Sequence, residues 1–151
     1  MSTTAGINTN SLHNFRILLA EDNPDHQPLV SRMLGNAGAS VTIVENGEAA
    51  VDLVRDAEKA GNQFDVILMD MQMPILDGYN AARRIRQIGL NTPILAVTGR
   101  VLSTEREKCI EAGCDDFLAK PFHRADLIAK VACCVREKAA YEKDLFSPSP
   151  K

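Results

Sequence analysis

Five short apolar runs, each followed by a segment of helical periodicity, constrain this chain more than any other feature of it. Phe15–Ala20 (FRILLA) is rich in branched side chains and stops at Glu21-Asp22, the signature of a buried strand. Ser40–Val44, Phe64–Met69, Pro93–Val97 and Phe117–Ala119 read as the next four strands. Phe64–Met69 is almost wholly apolar after Asp65, as expected of a strand covered on both faces.

The intervening segments read as helices. The first follows Asp25 as N-cap, with Leu29, Val30, Met33, Leu34 and Ala37 on one face. Pro28 is tolerable only in its first turn, and Gly35 or Gly38 ends it. The second spans Gly47–Lys59 and packs through Ala50, Leu53, Val54 and Ala57. Asp77-Gly78 opens the third, with Ala81, Ala82, Ile85 and Ile88 inward. The fourth begins near Ser103, where Thr104-x-x-Glu107 matches a capping box, and stops at Gly113. The last runs from about Arg124 to Lys138 and buries Leu127, Ile128, Val131, Ala132 and Val135.

Strands alternating with helices through short loops imply right-handed crossovers and a parallel sheet covered on both faces. The expected fold is therefore α/β and doubly wound, a flavodoxin-like five-stranded sheet of order 2-1-3-4-5 flanked by five helices. One domain over residues 15–138 accounts for the chain, preceded by a flexible segment 1–14. Residues 139–151 end in FSPSPK and are expected to form a disordered tail.

In such a sheet, ligands bind beyond the carboxyl ends of the strands, near the point where strand order reverses. Strand one ends at Glu21-Asp22, strand three at Asp70, strand four at Thr98 and strand five at Lys120. The topology brings these ends to one rim. A lone Asp at a strand end is usually a solvated loop residue, a lone Lys usually a surface residue. Their joint placement at matching ends is what carries information.

Three crowded carboxylates repel one another and remain ionised only beside a cation. An all-oxygen site suits Mg²⁺, with Mn²⁺ as a substitute, better than zinc. Phosphoryl transfer uses this arrangement: a metal on the phosphate oxygens, with fixed donors such as Thr98 and Lys120 for the others. A carboxylate can itself be the nucleophile, and Asp70 occupies the central position.

These residues resemble the response-regulator receivers. Glu21-Asp22-Asn23, Met69-Asp70-Met71-Gln72-Met73-Pro74 with Asp77-Gly78, then Thr98, and Gly113-x-Asp115-Asp116-Phe117-x-x-Lys120-Pro121 agree with that family in order, spacing and strand position. The match extends over roughly Phe15 to Lys138. The resemblance implies that Asp70 is the phosphoacceptor and that Asp22 binds Mg²⁺ directly, with Glu21 contributing to the acid pocket. It further implies the backbone carbonyl of Gln72 as a metal ligand, Thr98 as the switch hydroxyl, Phe117 as the aromatic that follows it, and Lys120 as the phosphoryl partner.

The donor implied is a phosphohistidine on a histidine kinase or a histidine phosphotransfer protein. The readout implied is the face formed by helix four, strand five and helix five, and a phosphorylation-dependent homodimer is left open. Such a chain is not an enzyme, apart from catalysing its own phosphorylation and dephosphorylation. Glu-Asp-Asn, Met-Asp-Met-Gln-Met-Pro and Arg106-Glu107-Lys108-Cys109 are most similar to the receivers attached to hybrid histidine kinases. The chain reads as part of such a kinase or as a stand-alone receiver. In one departure, Gly99 follows Thr98 where the family more often has Ala, with Arg100 beside it.

Competing readings are weaker. A phosphatase of the haloacid-dehalogenase type needs a second carboxylate two residues past the nucleophile, and Gln72 stands there. A flavin carrier needs stacking and phosphate-cradling loops, but aromatics are 5% and Trp is absent. An interaction module that is never phosphorylated would not need the full acid set.

The net charge of -3, from 17 basic and 20 acidic residues, argues against a nucleic-acid arm. No apolar run approaches a membrane span, and the Ser/Thr/Asn-rich start lacks a secretory signal pattern. Cys109, Cys114, Cys133 and Cys134 lack zinc or redox spacing and read as reduced thiols in a cytoplasmic protein. Among His13, His26 and His123, only His26 falls near the pocket rim, and exposure is the expectation for it.

Overall fold

The structure, a computed structural model, describes residues 11–100 and 103–146. Strands β1 (Arg16–Ala20), β2 (Ser40–Val44), β3 (Val66–Asp70), β4 (Ile94–Thr98) and β5 (Asp116–Ala119) alternate with helices α1 (His26–Asn36), α2 (Gly47–Lys59), α3 (Gly78–Gln87), α4 (Glu105–Ala112) and α5 (Arg124–Phe146). All four strand pairings are parallel and the order is β2-β1-β3-β4-β5. The expected fold class and strand order both hold.

The period of two along each strand divides the core into two layers. Ile17 and Leu19 of β1, Val66 and Leu68 of β3, and Leu95 and Val97 of β4 face α1 and α5, meeting Val30, Leu34, Leu127 and Val131. Leu18, Ala20, Ile67, Met69, Ile94 and Ala96 face the other way, meeting Ala50 and Val54 of α2, Ala81, Ala82 and Ile85 of α3, and Cys109 and Ala112 of α4. The two central strands β3 and β4 are buried at every position, whereas edge strand β2 is largely solvent-facing. Asp70 and Thr98 therefore end the two most deeply buried strands.

Glycine is required where the backbone approaches closely or adopts a left-handed conformation. A Cβ on Gly78 would sit 2.6 Å from the carbonyl oxygen of Asp70, so the start of α3 packs directly on the end of β3. Gly113 ends α4 at φ 113° in the left-handed region. Pro28 falls within the first turn of α1, as its missing N–H demands.

Several expectations are corrected. The segment Ser11–Asn14 is not free: Leu12 is fully buried beside α1, and its N–H donates to the Ala37 carbonyl at 2.8 Å. Helix α5 does not stop near Lys138 but continues to Phe146, because Ala139 to Lys143 are good helix formers and Lys138 pairs with Glu142 at 3.4 Å. The remaining parts of the two terminal segments, residues 1–10 and 147–151, lie outside the described residues. Leu29 and Ile88 point outward, at 52% and 46% exposure: Leu29 lies one position off the stripe of Val30 and Leu34, and Ile88 is the C-cap just past the end of α3. Thr104 precedes α4 in helical dihedrals and makes no side-chain cap bond, so the capping box does not form. Asp25 likewise makes no side-chain cap bond at α1. The four cysteines are unpaired, three of them buried.

Candidate functional site

The strand ends build the site in order. Glu21 continues the β1 ladder by donating its N–H to Val44 at 3.0 Å. Its side chain, only 3% exposed, turns inward. A buried carboxylate must be compensated. Here Oε2 accepts the Asn23 N–H at 3.0 Å and Oε1 accepts from Lys120 Nζ at 3.1 Å. Gln27 Nε2 donates to the Glu21 carbonyl at 2.6 Å and ties the first turn of α1 to the same strand end. Asp22 is exposed beside it.

Asp70 closes β3 and is 5% exposed. Its Oδ1 accepts the Gln72 N–H at 3.0 Å, and its Oδ2 accepts from Lys120 Nζ at 3.3 Å. Lys120 is placed by its own N–H, which donates to the Thr98 carbonyl at 2.8 Å and extends the β4–β5 ladder. One ammonium thus bridges two buried carboxylates from different strands. The bond between Lys120 and Pro121 is cis.

Burial raises the Asp70 carboxyl from an ordinary 3.8 to about 6. The Gln72 N–H and the Lys120 ammonium oppose that rise, and the nearby Glu21 carboxylate adds to it. The site is short of positive charge. Ligand oxygens of Glu21, Asp22 and Asp70 all lie within 4.8 Å of one another, the one such acidic group among the described residues. Hard oxygen donors around a charge deficit fit a hexacoordinate dication of the Mg²⁺ kind.

Thr98 is fully buried, and its Oγ1 accepts the Arg100 N–H at 3.1 Å. Phe117 is half-buried on β5 and packs on the core layer that includes α4. Gln72 is exposed and lines, with Asp22, Met73, Pro74, Tyr79 and Arg100, a cleft of about 440 Å³ that opens beside the acidic group. Glu21, Asp22, Asp70 and Lys120 therefore converge as their strand ends implied, and Thr98 is on the same rim. His26 comes closer than a simply exposed histidine: Nδ1 lies 3.5 Å from Lys120 Nζ and 3.8 Å from Glu21 Oε1.

Two buried polar residues near the site escaped the sequence reading. Tyr79, at the start of α3, donates its hydroxyl hydrogen bond to Glu105, at the start of α4. An acidic residue in the first turn of a helix ordinarily reads as a solvated partner of the dipole, so no pattern marked Glu105 as buried.

The model of the response regulator receiver domain family matches residues 17–132. The chain belongs to that family. The receiver is 42% identical over 114 residues to the two-component response regulator ORR41 of Oryza sativa subsp. japonica, covering 74% of this chain and 87% of that protein. It is 38% identical over 112 residues, 72% of the chain, to hybrid signal transduction histidine kinase I of Dictyostelium discoideum. The receiver spans only 6% of that kinase and 14% of Arabidopsis thaliana histidine kinase 1. Among solved structures it is similar to the receiver domain of sensor histidine kinase PA1611 from Pseudomonas aeruginosa PAO1. That likeness has 43% identity and a TM-score of 0.71, covering 82% of this chain and 98% of the other. The Pseudomonas structure is described with a magnesium ion coordinated in its active-site cleft. No helix among the described residues of this receiver is long and apolar enough to cross a membrane.

Proposed function

We propose that this receiver domain is a phosphoacceptor switch in which Asp70 takes a phosphoryl group from a phosphohistidine. The observation that carries the reading is the pairing of Asp70 with Lys120 inside the acidic group of Glu21 and Asp22. A carboxylate raised to about 6 remains mostly ionised at neutral pH and is partly desolvated, which favours nucleophilic attack. An Asp70 carboxylate oxygen bonds to phosphorus while the donor's P–N bond breaks, and the departing imidazole nitrogen takes a proton. Bound Mg²⁺, or Mn²⁺ in its place, would supply charge neutralisation of the phosphoryl oxygens. Asp22, Asp70 and the Gln72 carbonyl would hold it, with Glu21 beside them.

Lys120 then exchanges its contact with Asp70 for one with a phosphoryl oxygen, and the Thr98 hydroxyl, whose oxygen accepts from the Arg100 N–H, donates its hydrogen to another. Phe117 follows into the space beside β4, and the α4–β5–α5 face changes as a population shift between two arrangements. A cytoplasmic histidine kinase or histidine phosphotransfer protein supplies the phosphoryl group, and the only reactions catalysed are the chain's own phosphorylation and dephosphorylation. The receiver belongs either to a hybrid histidine kinase or to a stand-alone regulator, and phosphorylation-dependent pairing of two copies is a further readout open to it.

The site is tested by incubating the protein with Mg²⁺ and phosphoramidate, the simplest P–N donor, followed by borohydride reduction and peptide mapping. An acyl phosphate on Asp70 is converted to homoserine at that position. Reduction at any other carboxylate, or phosphate retained on His26, overturns the assignment.

A further inference from the structure

Lys120 carries three N–H hydrogens on Nζ and no acceptor, so the groups around Nζ set its direction. Two of them are carboxylates, Glu21 at 3.1 Å and Asp70 at 3.3 Å. The third is an imidazole. His26 Nδ1 lies 3.5 Å from Nζ, and 3.8 Å from the Glu21 oxygen that Lys120 already holds. Since an ammonium can only donate, Nδ1 is the acceptor of this contact, which puts the ring proton on Nε2. Three hydrogens thus meet three acceptors, drawn from the end of β1, the end of β3 and the first residue of α1.

The backbone under His26 is held as firmly as the strand ends. Its N–H donates to the Asn23 carbonyl at 3.0 Å, and the Asn23 side chain accepts the Asp25 N–H at 2.8 Å, which closes the β1–α1 turn. Glu21 Oε2 accepts the Asn23 N–H, and Gln27 donates to the Glu21 carbonyl, so the turn is bonded to Glu21 on both sides of His26. The ring itself is only half-buried, so core packing does not account for its place beside Lys120.

We propose that His26 is a positioning residue for phosphoryl transfer, its Nδ1 holding one hydrogen of Lys120 so that the ammonium keeps a fixed aim at the group on Asp70. This role rests on the reading of Asp70 as phosphoacceptor. A phosphoryl oxygen that takes over the hydrogen now given to Asp70 leaves Glu21 and His26 with the other two. Two fixed hydrogens determine the direction of the third, because all three are disposed tetrahedrally about Nζ. With Glu21 alone, the ammonium turns about a single hydrogen bond, and the orientation once built into the site has to be found at each encounter. His26 acts through Lys120 and not on phosphorus.

The test titrates beryllofluoride, a phosphoryl mimic, into the full chain with Mg²⁺ at a single pH. The wild type, His26→Leu and His26→Asn are compared, with thermal unfolding of each as a control. Leu fills much of the same space without an acceptor, whereas Asn fills less of it but sets Oδ1 close to where Nδ1 stands. His26→Leu is expected to bind beryllofluoride about fivefold more weakly, the loss of one weak hydrogen bond to a charged group. His26→Asn is expected to recover to within about twofold of the wild type. Both variants are expected to melt within a few degrees of it. A ring that merely packs gives the opposite order, with Leu close to the wild type and Asn the weaker binder, and that order overturns the proposal. Equal affinities in all three proteins, or an equal loss in both variants, overturn it as well. Should His26→Leu not fold, His26→Ala takes its place, weaker binding that Asn restores upholding the role and unchanged binding overturning it. A wild type that takes no beryllofluoride counts against the phosphoacceptor reading itself, a result distinct from a failure of the variant comparison.

Discussion

Asp70 is expected to cost the metal-free protein stability at neutral pH, and the size of that cost follows from its environment. Its carboxyl is raised from 3.8 to about 6, with burial as the leading cause. The folded state therefore holds its proton at pH values where the unfolded chain has released it. Since stability changes with pH as the proton count of the unfolded state minus that of the native state, the slope is negative between these two values. The Asp70 contribution is neutral below pH 4 and becomes fully unfavourable above pH 6, amounting to roughly 3 kcal/mol for a shift of about two units. About half of that accrues between pH 5 and 7.5. Urea denaturation of the wild type and Asp70→Asn, in EDTA at pH 5.0, 6.0 and 7.5, reads the effect of Asp70 together with its coupling to Glu21 and Lys120. The variant is expected to gain about 1–1.5 kcal/mol on the wild type as pH rises from 5 to 7.5. A difference independent of pH, or one that shrinks, refutes the claim that Asp70 is held in a desolvated site short of positive charge.

Other substitutions test the surroundings. Gly78→Ala puts a Cβ 2.6 Å from the Asp70 carbonyl and is expected to destabilise by about 1–3 kcal/mol in urea and to slow phosphorylation, since the end of β3 must yield. Gly99→Ala meets no described atom within 4 Å and is expected to be tolerated, with a gain of up to about 1 kcal/mol in the same titration. Phe117→Ala is expected to leave phosphorylation by acetyl phosphate within a few-fold of the wild type while removing the phosphorylation-dependent chemical-shift changes in α4 and α5, as followed by NMR.

Much of the architecture was legible because periodicity is a strong signal when strands are buried on both faces. β3 and β4 announce themselves as unbroken apolar runs, and once the order 2-1-3-4-5 is accepted, the rim residues follow from where each run stops. Helix faces were read less well at their margins. Leu29 is apolar and sits beside inward Val30 yet falls outside the buried stripe, and Ile88 keeps the spacing of its stripe but lies at the C-cap, where α3 has already ended. Helix α5 outruns its expected end at Lys138 because nothing in Ala139 to Lys143 opposes a helix, although no apolar stripe marks that stretch as one. Long-range polar contacts were out of reach in principle. Neither the approach of His26 to Lys120 nor the burial of Glu105 against Tyr79 leaves a mark on local periodicity, because each joins residues brought together only by the fold.

The central claim is that Asp70 accepts a phosphoryl group in a magnesium-dependent reaction. Intact mass after incubation with acetyl phosphate and Mg²⁺, quenched rapidly in acid, tests it most directly. The wild type is expected to gain one phosphoryl, to gain none in EDTA, and Asp70→Asn is expected to gain none in either condition. An equal gain in the variant, or a gain in the wild type that EDTA does not affect, contradicts the account.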